Sequence, residues 1–118
     1  MILNQILLEQ ALLLAKKQTA ARKMGANMRK RERNALAKAH ERLLANPYIH
    51  FENGKLLIMS EPSGGETETK FYLTDKNTCR QIEPNNHLCP AFWDGFPCWH
   101  RASFDILENY FAVVQRRR

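Results

Sequence analysis

Apolar and polar positions divide the chain into a helical front and a strand-rich back. From Ile2 to Asn46 there is no proline and one glycine, and Leu, Ala, Lys, Arg, Glu and Gln dominate. These are good helix formers. The first section, Ile6-Leu7-Leu8 through Ala11-Leu12-Leu13-Leu14-Ala15, is apolar nearly all round. A solvated helix does not expose that much, so its own domain or another chain must cover it. The second section has a narrower stripe of Met28, Ala35, Leu36, Ala39 and Leu43, with charge on its other faces. Asn46-Pro47 ends the run, because the residue before proline avoids helical geometry. Gly25-Ala26-Asn27 is the one internal break signal. Two arrangements fit: a single long helix through Gly25, or a hairpin of two helices.

After Pro47 the pattern shortens. Tyr48-Ile49-His50-Phe51 alternates, Glu52-Asn53-Gly54 is a turn, and Lys55-Leu56-Leu57-Ile58-Met59 runs back. Asn-Gly between apolar runs marks a β-hairpin. Glu61 to Glu66 reads as a loop, Lys70 to Thr74 as a third strand, Asp75-Lys76-Asn77 as a turn, and Thr78 onward as a short fourth strand. Phe104, Leu107, Phe111 and Val114 recur at helical spacing, so a helix from about Cys98 to Val114 should cover the sheet. The expected fold class is α+β: an N-terminal helical arm or hairpin (1–46), then a small antiparallel β-sheet, a cysteine-bearing loop and a C-terminal helix (47–118).

Composition adds limits. At 118 residues, 44% hydrophobic and 25% charged, the chain is an ordinary globular domain with a modest core. No stretch is apolar enough to span a bilayer. The N-terminus lacks a basic leader region and a small-residue cleavage site, so no signal peptide is expected. That places the protein in a cytoplasm (or a nucleus, if eukaryotic), where thiols stay reduced. Net charge is +6, but residues 1–46 hold ten of the eighteen Lys/Arg and three of the twelve acids. The front therefore carries +7 and the rest −1.

Candidate chemistry sits near the C-terminus. All three cysteines fall in Cys79-x9-Cys89-x8-Cys98-x-His100. Three is an odd number, which argues against a disulfide framework. Thiolates and one imidazole are the ligands a tetrahedral Zn2+ prefers, and a structural site takes four. Cys98 and His100 start the last helix, Cys89-Pro90 presents a thiolate from a loop, and Asp94-Gly95 with Pro97 folds the spacer back. Cys79 completes a Cys3His set. His87-x-Cys89 mirrors Cys98-x-His100, so His87 is an alternative to Cys79 as fourth ligand. Three thiolates and a neutral imidazole on zinc sum to about −1, which Arg80 and Arg101 would help stabilise. The plainer alternative is three cysteines that fill a core.

The strings Tyr72-Leu73-Thr74-Asp75-Lys76-Asn77-Thr78-Cys79, Cys89-Pro90-Ala91-Phe92 and Gly95-Phe96-Pro97-Cys98-Trp99-His100-Arg101-Ala102 resemble the SWIM zinc finger over about residues 70–110. That family's pattern is Cys-x-Cys, a variable spacer, then Cys-x-His. The resemblance implies a ββα-like zinc module that binds DNA or proteins, often in transposases and chromatin-associated proteins. It implies Cys89, Cys98 and His100 as ligands. Cys79 fits the first position by its strand context, although nine residues stand where the family has one. His87 fits by spacing but not by residue type.

Two further features are candidates for function. Lys16, Lys23 and Lys30 are seven apart, and Arg22, Arg29 and Arg33 line an adjacent stripe. Such a helix can follow nucleic-acid phosphates, or can be a solvated face. Lys16, Lys23, Arg29, Lys30 and Arg33 are the expected phosphate contacts, with Arg101 as helper and the Arg116–Arg118 tail as a possible addition. Phe92, Trp93, Phe96 and Trp99 either pack around the metal loop or stack on bases. No phosphate loop, metalloprotease helix or nucleophile elbow is present, and no enzyme is expected. Only a three-ligand site with Glu83 as base would catalyse. The leading expectation is a zinc-stabilised nucleic-acid-binding protein, DNA more than RNA, such as a small regulator from a mobile element. The alternative is an adaptor or inhibitor that meets an acidic protein surface, or a second copy through residues 6–15.

Overall fold

The computed structural model describes residues 2–62 and 67–116. Part of the expected loop (63–66) and part of the arginine tail (117–118) lie outside the described residues. The elements run α1 (Gln5–Ala20), α2 (Ala26–Leu44), β1 (Ile49–Glu52), β2 (Lys55–Ser60), β3 (Lys70–Thr74), β4 (Cys79–Glu83), β5 (His87–Leu88), α3 (Pro90–Trp93) and α4 (Trp99–Arg116). The α+β class holds. The helical front is a hairpin, not one long helix: α1 stops at Ala20, and Gly25 stands in extended geometry before α2.

Local chemistry sets these boundaries. The Asn4 side chain accepts from Leu7 N at 3.1 Å and caps α1. After α1 the Arg29 guanidinium donates to Ala20 O and Arg22 O, at 3.3 and 3.0 Å, and so holds the connection between the helices. Asn46, at φ +52°, turns the chain out of α2 just before Pro47. Its Oδ1 accepts from Leu3 N, while the Tyr110 hydroxyl donor-acceptor group accepts from Asn4 N, both at 3.0 Å. The first residues are thus tied to the end of α2 and to α4.

The sheet is an antiparallel meander in the order β1-β2-β3-β4-β5. Asn53 and Gly54 both have positive φ, as a two-residue hairpin turn between Glu52 and Lys55 requires. Asp75 Oδ1 accepts from Asn77 N and Thr78 N and closes the next turn. The fifth strand is an addition to the four expected. It pairs Gln81 with His87 and Arg80 with Leu88.

One hydrophobic core joins the hairpin, the sheet and α4. Helix α4 packs on α1 and α2 and also on β2 and β3. Phe104 stacks on Phe51 at 5.5 Å, and Phe111 meets the same ring at 5.3 Å. Leu8, Ala11 and Ala15 are buried on the covered side of α1, and Leu36, Ala39 and Leu43 on that of α2. The other side of α1 is uncovered, with Ile6 69% and Leu13 57% exposed. Among the described residues, no helix is long and apolar enough to cross a membrane.

Candidate metal centre

The β4–β5 hairpin explains how a nine-residue spacer brings two ligands together. Strand pairing folds the chain back so that Cys89 N donates to Cys79 O at 3.0 Å. The two cysteines therefore sit on neighbouring strand ends. After Cys89, α3 makes one turn, with Trp93 N bonded to Cys89 O at 2.9 Å. Gly95, at φ +77°, then reverses the chain. Cys98 arrives at the start of α4, where its Sγ accepts from Arg101 N at 3.5 Å. His100 follows within the first turn.

Four ligand atoms converge as a result. Cys79, Cys89, Cys98 and His100 are all buried, and their ligand atoms lie within 4.8 Å of one another. His100 Nδ1 lies 3.6 Å from Cys79 Sγ and 3.7 Å from Cys89 Sγ. An ion held at about 2.3 Å from sulfur and 2.0–2.1 Å from nitrogen in a tetrahedron sets such edges at about 3.5–3.8 Å. The donor set and its spacing fit, and this cluster is a candidate metal site. His87 is not in it: its ring is exposed on β5, with Nδ1 3.0 Å from Leu88 O.

Electrostatics of the cluster favour a cation. The Cys79 thiol donates to Cys89 and Cys98, which with burial pushes it far above the ordinary thiol range. Cys89 accepts from Cys79 and Cys98 and is held far below that range. The bond with Cys79 lowers Cys98, but the bond with Cys89 and burial outweigh it and raise it to about 11. Three sulfurs this close share protons because they cannot all ionise together, and a divalent ion removes that conflict. Burial lowers His100, as do the charges of Lys38 and Arg42, so the ring is neutral and able to ligate. That ring is clamped by aromatic faces: Tyr72 stacks on it at 3.6 Å and Trp99 lies at 4.3 Å. Its Nε2 is buried with no hydrogen-bond partner among the described residues.

The side chains of the two arginines expected beside the site have other partners. Arg101 donates to Lys76 O at 2.9 Å and lies over the Phe92 ring, and Arg80 donates to Asn86 at 2.9 Å. The charges that act on His100 come instead from α2, through Lys38 and Arg42. Arg31, also on α2, lies 3.9 Å over the Phe96 ring. The helical break also ends the Lys16–Lys23–Lys30 stripe, because Lys23 falls in the connection between helices. Arg29 is engaged with backbone carbonyls, and Arg33 lies about 160° around α2 from Arg31. Lys30, Arg31, Asn34, Lys38 and Arg42 share one flank of α2. Stripes drawn across Gly25 leave out Arg31, Lys38 and Arg42, which border the metal module because of how α2 packs.

Two hollows border the cluster. One, of about 440 Å³, is lined by Arg31, Asn34 and Lys38 on one side and by Pro90, Pro97 and Trp99 on the other. The second, of about 510 Å³, is lined by Arg22, Glu32, Lys76, Arg101 and Asp105. Burial there pushes the Asp105 carboxyl up to about 6, against the opposing charge of Arg22, which lies 3.9 Å away. Glu83 ends β4 at the surface. Compared with known proteins, the chain matches no family model, no curated protein and no solved structure.

Proposed function

We propose that this chain is a zinc-stabilised nucleic-acid-binding protein whose metal module is of the SWIM type, with the first Cys–Cys spacer lengthened into a hairpin. Cys79, Cys89, Cys98 and His100 would hold the ion. Sulfur and imidazole donors in a buried four-membered set suit Zn2+ and leave no open position for catalysis. The ion supplies cohesion between the sheet and α4, and the chain's own surface makes the contacts. The observation that carries the nucleic-acid reading is the cationic flank of α2 along the rim of the metal module. Lys30, Arg31 and Lys38 are exposed there, and Arg42 is half-buried.

Metal analysis of protein purified without chelators should return one zinc per chain. Titration of labelled DNA and RNA over a salt series should then show affinity that falls steeply with salt. Four phosphate contacts correspond to a logarithmic slope of about −3 to −4. Stoichiometric metal with no salt-dependent binding would leave the zinc module standing and remove the nucleic-acid reading.

A second reading rests on α1. Ile6 and Leu13 are seven residues apart on one exposed side of that helix, which suits self-association. Light scattering across a concentration series distinguishes a monomer from a dimer built on this face.

A further inference from the structure

The hollow between α2 and the metal module does not stand alone. Asn34 and Lys38 also line a hollow further along α2, with Glu41 and Arg42. Asn34 and Arg31 line another toward its start, with Asn27 and Lys30. On the opposite bank, Pro90 lines both the hollow beside the cluster and a shallow one of about 430 Å³ that contains His87, Leu88 and Trp93. The shared residues set these hollows side by side as a track, three of them along α2 and the fourth around Pro90. Its α2 bank carries Lys30, Arg31, Lys38 and Arg42. Its far end carries Trp93, which is 75% exposed.

We propose that this track takes a single nucleic-acid strand, with its phosphates along the α2 bank and an unpaired base stacked on Trp93. The inference rests on the nucleic-acid reading above and adds the form of the ligand. Three observations argue for it. Trp93 is largely exposed in a hollow it shares with His87, Leu88, Pro90 and Asp94, and an exposed indole face is a platform for any base. The turn that presents Trp93 is anchored at a metal-site residue, because its backbone N–H donates to Cys89 O. Arg31 is likewise held, by the Phe96 ring under its guanidinium. A duplex keeps its bases stacked inside and offers none to Trp93. The hollow between α2 and the metal-module loop fits a strand better than a cylinder. Asn34, at the junction of three hollows, has donors and an acceptor for a base edge.

The test compares a short mixed-sequence single strand with the duplex of the same sequence, by fluorescence anisotropy on the metal-loaded protein. The single strand should bind more tightly and should quench tryptophan emission. Trp93→Ala should weaken single-strand binding by about 5- to 150-fold and remove most of the quenching, with the salt slope unchanged. Lys38→Ala should reduce the slope by about 0.7. Circular dichroism checks that both variants fold, as their exposed positions imply. Equal or tighter duplex binding, or a neutral Trp93→Ala, overturns the single-strand inference while the nucleic-acid reading survives. No binding to either at low salt, or equal displacement by a polyglutamate peptide, overturns both.

Discussion

In the helical hairpin, Leu8, Ala11, Ala15, Leu36, Ala39 and Leu43 are buried, and the hairpin packs on α4. Between Cys79 and Cys98 the buried side chains are Cys79, Gln81, Cys89 and Cys98, and α3 buries none. The first region is cohesive because apolar surface leaves water there. The second contributes its three cysteines to the core, with Ala91 and Phe92 only partly covered against it. Its order depends on strand pairing, on the turn at Gly95, and on whatever satisfies the sulfurs. A small domain with a short core can divide this labour between packing and a metal staple.

The largest way to break the comparison is to remove a ligand. Cys98→Ser, His100→Ala or a strong chelator should abolish a contribution on the order of 10 kcal/mol, comparable to the whole stability of a domain this size. Residues 70–110 should unfold, read by far-ultraviolet circular dichroism with and without chelator. Retained, chelator-insensitive structure would contradict a metal-held module. The converse lesion is Leu36→Ala in the hairpin. It should cost about 2–5 kcal/mol by leaving a cavity, seen as a lower melting temperature. The metal content of the folded protein should be unchanged. A loss of zinc alongside that destabilisation would show that the two regions are not separable.

Asp105 on α4 gives a smaller and sharper effect at the seam. Burial raises its carboxyl to about 6 from an ordinary 3.8. A raised acid favours its protonated form in the folded state. The ionised form is therefore a burden that is absent below about 4 and fully present above about 6. Asp105→Asn should stabilise the protein by about 1–3 kcal/mol at pH 8 and by nothing at pH 3.5. Thermal melts across that range check it, and a gain at pH 8 that persists at acid pH would refute the cause.

Strong local chemistry made much of this readable from sequence. Asn53-Gly54 demanded a hairpin turn, Asn46-Pro47 stopped α2, and Cys98-x-His100 put two ligands at one helix start. What stayed hidden was set by distance through space. Two-residue β5 is too short to show a period of its own, so Cys79-x9-Cys89 looked like a long gap rather than a folded hairpin. Gly25 adopts extended geometry open to other residues, so nothing local decided between one helix and two. That choice also scattered the basic stripes, because a stripe exists only along an unbroken helix. The cations that border the cluster, Arg31, Lys38 and Arg42, depend on how α2 packs, which no local pattern records.

Two of the cluster's four side chains belong to neighbouring strand ends, and two belong to the start of α4. A bound ion would therefore act as a rivet through two plates. Sliding or tilting of the sheet against α4 would have to stretch coordination bonds, so the loaded molecule should have no hinge along that line.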